Sequence, residues 1–308
     1  MPNATRNHAE SGESLGMEEM SRFRNILVPL DGTEHSEQAL PFAVECARRS
    51  DAKLIVLSVA PDLDDDQSAI EPSSDTDERP SSDLGVVLSE YLQGIHESLV
   101  DQVGNYQVLL TGGDPTTQIL ETVERNEVDL IVMATHGRTG IARGFLGSVT
   151  DATTSGANVP VVAIGNDMTA EDGQTKIEVV HVALDGSELA DTAIPVAMSM
   201  AKAFGARLNL VRVVETERRG VEVTLAQIHL DDHRLLLSKD NDDIEVQASL
   251  LRGSPAEELM AMGRSTSHAV MAITTRGNRG LTRIVRGSVA DHLIRESTIP
   301  ILIQSPQE

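Results

Sequence analysis

VDLIVMATHGRTGIARGFLGSVTDATTSGANVPVVAI, residues 128–164, has a second copy 140 positions later as HAVMAITTRGNRGLTRIVRGSVADHLIRESTIPILIQ, residues 268–304. Each copy contains, in order, an apolar run, a glycine loop, a Gly-Ser pair, an amphipathic segment and a second apolar run. The matching positions are Gly137, Gly140, Gly147 and Ser148 in the first copy, and Gly277, Gly280, Gly287 and Ser288 in the second. A glycine loop between a buried strand and a helix start is where parallel sheets bind phosphate, so the repeat bears on both fold and ligand.

The duplication extends to the beginning of each half of the chain. An apolar run at 26–30 ends at Asp31, and the run before Asp185 repeats it at an offset of 154. A helical pattern and a second apolar run, rich in β-branched residues, follow each aspartate. Strands that alternate with helices are typical of a parallel sheet with helices on both faces. We therefore predict an α/β fold of two tandem, doubly wound, Rossmann-like domains with strand order 3-2-1-4-5.

Polar segments indicate where the domains begin and end. We predict a disordered tail at 1–21, a first domain at 22–165, a linker at 166–175 and a second domain at 176–308. The offset between the copies falls from 154 to 140 because the first domain carries additional residues within an acidic segment, 61–83. This segment has too little apolar surface to offset its ordering entropy, so we predict a mobile loop.

The last apolar run of each domain is predicted to be its fifth strand, at one edge of the sheet. These runs are Val159–Ile164 and Ile299–Ile303. Exposed apolar edges tend to be covered by another strand. We expect the two halves to pair with each other in a pseudo-twofold arrangement, or two chains to form a homodimer through this strand.

Composition narrows the possible classes of function. A formal net charge of -23 argues against nucleic-acid binding, which depends on lysine and arginine. Cys46 is the single cysteine, so no intramolecular disulfide is possible and a reducing compartment is favoured. Its counterpart is Met200, which predicts a buried apolar role. Since no apolar run is long enough to span a membrane and the N-terminus lacks a secretory signal, we expect a soluble, cytoplasmic protein.

The loops after strands 1 and 4 carry the polar repeats. In the predicted topology these loops flank the crevice at which the strand order reverses, where open α/β sheets bind ligands. Glycines there allow the backbone to approach phosphate oxygens closely. Ser148 and Ser288 each precede an aspartate by three residues, which predicts capping boxes at two helix starts.

These motifs resemble the ATP-binding branch of the universal stress protein family, in its tandem-domain form, over residues 22–165 and 176–304. The motif of that branch is Gly, two residues, Gly, nine residues, Gly, then Ser or Thr. The second and third glycines and the serine match in both copies, whereas Ala134 and Thr274 stand where the leading glycine is expected. Domain 1 is the closer match, because it has Pro29 where domain 2 has Ala183.

The resemblance implies that ATP, with Mg²⁺ on its phosphates, binds in domain 1 more readily than in domain 2. The aspartate after strand 1 would contact ribose or the metal, the backbone after strand 2 would contact adenine, and the glycine loop would contact phosphate. The residues implied are Pro29, Leu30, Asp31, Val59, Gly137, Arg138, Gly140, Gly147, Ser148 and Val149 in domain 1, and Asp185, Val213, Gly277, Gly287 and Ser288 in domain 2.

Three classes of function remain open at this point. The first is a nucleotide-responsive stress or regulatory protein. The second is an interaction or scaffold protein that kept the fold and lost the pocket, which Ala134 and Thr274 favour. The third is an ATPase or adenylate-forming enzyme, for which we expect slow turnover at most, because no residue is evident to position an attacking water and no catalytic residue is assigned.

One further pair of residues has the spacing of metal ligands. His229 and His233 lie four residues apart, which places two imidazoles on one face of a helix. The residues between them are Leu-Asp-Asp, and the first copy has Ser89 and Gln93 at the matching positions. We therefore expect a solvated helix face and no metal site.

Overall fold

The computed structural model describes residues 22–61, 83–135, 147–165, 176–217, 219–266, 268–275 and 288–305. The predicted tail, the acidic segment from residue 62 to residue 82, the linker at 166–175 and both glycine loops lie outside these ranges. Gly137, Arg138, Gly140, Gly277 and Gly287 are therefore outside the described residues, and their proposed roles stay predictions.

Strands and helices alternate along the first half, here residues 22–165. Its elements are β1 Asn25–Pro29, α1 Glu34–Glu37, α2 Leu40–Ser50, β2 Lys53–Ala60, α3 Asp83–Leu99, β3 Tyr106–Gly112, α4 Pro115–Arg125, β4 Leu130–Ala134, α5 Ser148–Gly156 and β5 Val161–Ile164.

The second half, residues 176–305, repeats this order element by element. Its elements are β6 Val179–Leu184, α6 Glu188–Asp191, α7 Ala193–Phe204, β7 Arg207–Val214, α8 Val221–Asp240, β8 Val246–Arg252, α9 Pro255–Ser265, β9 Ala269–Thr274, α10 Ser288–Glu296 and β10 Ile301–Gln304.

The ten strands form one sheet, in the order β3-β2-β1-β4-β5-β10-β9-β6-β7-β8. Each half contributes five parallel strands, and the predicted order 3-2-1-4-5 is confirmed in both. β1 lies between β2 and β4, so the order reverses at the boundary between β1 and β4. The carboxyl ends of these strands therefore flank a crevice at the switch point.

Helices cover both faces of the sheet, and this explains the continuous apolar runs. Successive residues of a strand point to opposite faces, yet Leu27 and Val28 are both 0% exposed. Cys46, on α2, is buried in the core as predicted, and burial raises the pKa of its thiol. None of the described helices combines the length and the apolarity that crossing a bilayer requires.

An antiparallel pair of strands joins the two halves. β5 pairs with β10, and Val162 lies opposite Leu302. Beside this pair, Phe42 of α2 stacks on Phe204 of α7 with ring centroids 5.9 Å apart, and the Arg49 guanidinium lies 5.1 Å from the Phe204 ring. The strand-5 pairing thus occurs within one chain, the intramolecular of the two arrangements expected, and the edge that a strand-5 homodimer would use is already paired.

Candidate functional site

A cleft opens at the carboxyl ends of β1, β2 and β4 in the first half, with a cavity volume of about 230 Å³. It brings together all seven residues of the predicted first-half site that lie within the described ranges. The lining residues are Pro29, Leu30, Asp31, Ser36, Leu57, Val59, Pro61, Pro115, Ile119, Met133, Ala134, Gly147, Ser148, Val149 and Thr150.

The loop after β1 holds Asp31 in a defined position. Its Oδ1 accepts hydrogen bonds from the Thr33 backbone amide at 3.0 Å and from the Thr33 hydroxyl at 2.6 Å. The Asp31 amide donates to the Ser36 hydroxyl at 3.2 Å, and Gly32 has a φ of +80°, a conformation that favours glycine. The turn therefore needs Gly32, and its hydrogen bonds fix the orientation of the carboxylate.

Helix α5 begins at the cleft, but without the capping box predicted at Ser148. The N-cap residue is Gly147, no side chain caps the helix, and Ser148 is instead the first helical residue, with an exposed side chain. Gly147 takes the N-cap position because its amide donates to the Thr135 carbonyl at 2.8 Å, which holds the backbone one residue before Ser148. Amides of the first turn, near Ser148 and Val149, are consequently left for solvent or for an anion.

Apolar side chains form most of the remaining wall of the cleft, and several of them were not predicted from the sequence. Leu57 on β2, Ile119 on α4 and Met133 on β4 line the cleft together with Val59 and Val149. Strand periodicity indicates that these positions are apolar, but it does not show which of them open onto a cavity. Such a wall suits a flat apolar ring.

Ala134 stands where a glycine was expected, and it lines the cleft. It ends β4 and is 6% exposed. Its carbonyl accepts a hydrogen bond from the Thr150 hydroxyl at 2.9 Å, which ties the strand to α5. The substitution therefore adds one methyl group at the cleft while the connection from strand to helix is maintained.

The second half reproduces the aspartate loop. Oδ1 of Asp185 accepts from the Ser187 amide at 2.9 Å and from the Ser187 hydroxyl at 2.6 Å, and Gly186 has a φ of +87°. Asp185 is exposed, Val213 is partly buried on β7, and Ser288 begins α10 with an exposed side chain. The aspartate loop of the predicted site is thus present twice.

An arginine of β7 distinguishes the second crevice from the first. The Arg212 guanidinium lies against Gly186, so closely that a β-carbon on Gly186 would stand 2.5 Å from both terminal nitrogens. The matching residue of the first half is Ser58, whose hydroxyl is fully buried and donates to the Leu30 carbonyl at 2.7 Å. Arg212 therefore occupies space beside the second aspartate loop, whereas Ser58 leaves the first loop open.

The family model for the universal stress protein family matches residues 22–165 and 176–304. The chain belongs to the universal stress protein family. Its tandem form is shown by the two matches and by the repeated strand order.

Relatives in bacteria and archaea agree with this assignment. A universal stress protein of Mycobacterium tuberculosis is 26% identical over 58% of this chain, a match that spans 62% of the relative's own length. One from Methanocaldococcus jannaschii is 28% identical over 46% of this chain and 82% of its own. The crystal structure of a universal stress protein from Archaeoglobus fulgidus, 21% identical, superposes with a TM-score of 0.68 and covers 91% of this chain and 98% of its own. That last likeness shows the shared fold.

The histidine pair of this universal stress protein lies on a partly buried face of α8, and not on the solvated face that was expected. The side chains of His229 and His233 are 23% and 27% exposed, and both converge on Asp191 at the end of α6. Their Nε2 atoms lie 3.4 and 3.2 Å from Asp191 Oδ2. Sequence reasoning missed the arrangement because Asp191 is 38 residues away from the nearer histidine and meets it only when α6 packs beside α8.

Proposed function

We propose that this protein binds ATP with Mg²⁺ in the first-half cleft and acts as a nucleotide-responsive regulator in stress response. The observation that carries the proposal is the convergence of Asp31, Val59, Gly147 and Ser148 on one cleft at the switch point of the sheet. The family resemblance assigns these same residues to the nucleotide.

The chemistry of the cleft supports this ligand. Apolar side chains on β2, α4 and β4 provide a surface on which a purine ring would be buried. The uncapped first turn of α5 offers backbone amides to phosphate oxygens. Asp31 is positioned by its own loop to accept a ribose hydroxyl or to bind a cation.

The charge of the cleft favours a nucleotide that carries a metal ion. Among the described residues that line it, Asp31 is the only charged one. A polyphosphate beside a carboxylate needs a positive charge, which Mg²⁺ would supply, with Arg138 as a second source of charge from the glycine loop. We therefore expect affinity for ATP to depend on Mg²⁺.

The first half is proposed to bind nucleotide more tightly than the second. The two aspartate loops have the same hydrogen bonds, so they do not decide the difference. Arg212 supports the proposed difference, because its guanidinium lies against Gly186, beside the second aspartate loop. We expect one nucleotide per chain.

The alternative function is that of an interaction or scaffold protein without a ligand. Ala134 favours it, because a methyl group narrows the cleft at the position of the expected glycine. Under this alternative the cleft would be a remnant of the fold, and nucleotide would have no effect on stability or assembly.

Calorimetric titration with ATP distinguishes these functions. The protein should be purified free of bound nucleotide and titrated with ATP in the presence of Mg²⁺ and again with EDTA. We expect binding in the first experiment and a loss of affinity of at least about tenfold in the second, because the phosphates lose their counter-charge. Absence of binding at millimolar ATP and Mg²⁺ would exclude the nucleotide function and support the scaffold.

The same samples test for enzymatic turnover. We expect phosphate release to stay near the uncatalysed background, since ATP is proposed to act by binding one conformation better than another. Release well above background that disappears in Asp31→Ala would assign an enzyme instead. The buried thiol of Cys46 is consistent with the proposed cytoplasmic location.

A further inference from the structure

We propose that Asp191, His229 and His233 form a binding site for a divalent transition-metal ion, best matched by Zn²⁺, in the second half of the chain. The two imidazoles lie on α8 and the carboxylate ends α6. The site is separate from the proposed nucleotide cleft, and neither proposal depends on the other.

The local structure places both imidazoles on one face. Residues four apart on a helix are neighbours, so His229 and His233 project from α8 side by side. Their ring centroids are 4.6 Å apart in an edge-to-face arrangement. Three donor atoms, one from each histidine and one from Asp191, lie within 4.8 Å of one another.

Two of the three distances between the donor atoms match a tetrahedral metal site. Ligand atoms about 2.0–2.1 Å from a tetrahedral Zn²⁺ are separated from each other by about 3.3–3.4 Å. The two Nε2 atoms are 3.4 and 3.2 Å from Asp191 Oδ2. An ion can therefore bind Asp191 and both imidazoles once the two nitrogens, which lie within 4.8 Å of each other, adjust to this spacing, and a fourth position is left for water.

Two buried atoms of the cluster have no hydrogen-bond partner among the residues that the structure describes. They are Oδ1 of Asp191 and Nδ1 of His229. Buried polar atoms without partners are rare in folded proteins. Oδ1 of Asp191 belongs to the carboxylate that would hold the ion, whereas Nδ1 of His229 lies across the ring from the binding nitrogen and would need a partner of its own, such as a water. A metal bound to Asp191 would also compensate the charge of a carboxylate that is 24% exposed.

The donor types select the class of metal. Two imidazole nitrogens and one carboxylate suit Zn²⁺ and neighbouring transition metals, whereas Mg²⁺ and Ca²⁺ prefer oxygen ligands throughout. The net charge of -23 also raises the local concentration of cations in general. Selectivity must therefore come from the two histidines, which makes them the residues to change.

The first half provides an internal comparison. The positions that match Asp191, His229 and His233 hold Glu37, Ser89 and Gln93. Only one of these three side chains is a common metal ligand. The site thus belongs to the second half alone, so a metal that bound both halves equally would point to another location.

Binding of metal would connect α6 to α8. α6 follows the second aspartate loop directly, and the Asp191 amide donates to the Ser187 carbonyl at 3.3 Å. Ser187 in turn donates to Asp185. An ion held by Asp191 would therefore restrain the start of the second half against its long helix and stabilise the folded chain.

The test uses tag-free, chelator-treated protein without nucleotide, titrated separately with Zn²⁺ and with Co²⁺. We expect one Zn²⁺ per chain by calorimetry, the intense visible absorption of tetrahedral Co²⁺, and a rise in Tm of several degrees with Zn²⁺. In His229→Gln/His233→Gln we expect the affinity to fall by roughly 100-fold or more and the Co²⁺ absorption to disappear.

A matched control is His292→Gln, which removes an exposed histidine from α10 and should leave both signals unchanged. Circular dichroism of the double variant without metal checks that it folds, and Asp191→Asn provides a second route to the same loss. The proposal is overturned if the wild-type chain binds no Zn²⁺ at millimolar concentration, or if the double variant binds it as tightly as the wild type.

Discussion

The two halves of this chain have the same strand order and the same aspartate loop, yet they differ at the places where a ligand would bind. The first half has an open cleft beside Asp31 and a buried Ser58. The second half has Arg212 against Gly186 and a cluster of two histidines with Asp191. The backbone frame has thus been kept in both copies, while side chains at strand ends and on helix faces have diverged.

The interior of the second half also contains a row of three polar residues where the first half has apolar ones. His181, Asn209 and Ser249 form a row of hydrogen bonds across β6, β7 and β8, with Asn209 Nδ2 and His181 Nδ1 3.1 Å apart and the Ser249 hydroxyl donating to Asn209 Oδ1 at 3.0 Å. The matching residues of the first half are Leu27, Ile55 and Leu109, which are all buried apolar side chains. The halves therefore differ in how their cores respond to pH.

The largest change in stability is expected from a substitution in the core that the two halves share. Leu302→Ala on β10 removes a fully buried side chain from a core cluster that includes residues of both halves, and should lower the free energy of unfolding by about 2–5 kcal/mol. Leu225→Ala on α8, where the side chain is 57% exposed, should change it by less than about 0.5 kcal/mol.

Urea denaturation followed by circular dichroism measures both variants. We expect a single transition that moves as one for Leu302→Ala, because the halves share a sheet and a core. Two separate transitions, only one of which shifts, would show that the halves unfold independently.

The next prediction concerns the dependence of stability on pH, which should differ between the two halves. Burial, with a smaller contribution from Arg207, lowers the pKa of His181 to about 4. Since this pKa is below its value in the unfolded chain, the folded state is favoured above about pH 6.5, and stability is lost as the pH falls from there towards about 4. His181→Leu, which restores the residue of the first half, should remove a pH-dependent loss on the order of 2–3 kcal/mol.

Urea midpoints measured between pH 7 and pH 4 test this prediction. The variant leaves Asn209 without its histidine partner, so its stability at pH 7 is expected to be lower, and the slope with pH is the diagnostic quantity. Parallel pH profiles for the wild type and the variant would contradict a neutral, buried His181.

A smaller change, in nucleotide affinity, is expected when the Arg212 side chain is removed from the second crevice. Arg212→Ser introduces the residue found in the first half, removes the guanidinium beside Gly186, and should raise the affinity of the second half for Mg²⁺-ATP by at least about tenfold. Calorimetric stoichiometry should change from one nucleotide per chain towards two. A weaker second site in the variant would show that Arg212 binds phosphate instead of filling the crevice.

The smallest change in nucleotide affinity is expected at Ala134, where the chain departs from the family motif. Ala134→Gly removes the methyl group that lines the first cleft and should raise affinity for Mg²⁺-ATP a few-fold, at a stability cost of roughly 0.5–1 kcal/mol for a glycine in a strand. Titration calorimetry and thermal denaturation measure the two changes. An unchanged affinity would show that the methyl group does not face the ligand.

Much of the fold could be predicted from the sequence, because it depends on patterns that repeat. Apolar runs at a constant offset gave β1, β2 and their counterparts, and the alternation with helices gave the parallel order. The capping box at Ser148 failed because its spacing does not reveal that the chain is already fixed at Gly147.

The candidate site was only partly predictable, since side chains distant in sequence complete it. Residues on glycine and aspartate loops carry a local signal, and the described ones of the first half meet at one cleft. Arg212 and Ser58 lie inside strands and carry no such signal, although a position-by-position comparison of the copies would have shown the exchange. Asp191 joins His229 and His233 only through the packing of α6 beside α8.

The central claim, that the halves share a frame but only the first holds a nucleotide, is tested most directly by a matched pair of variants. Asp31→Ala and Asp185→Ala remove the same carboxylate, with the same hydrogen bonds, from the two loops. Titration of each with Mg²⁺-ATP should show a loss of affinity of at least about tenfold in Asp31→Ala and none in Asp185→Ala. Equal losses in both variants, or a loss in Asp185→Ala alone, would contradict the account.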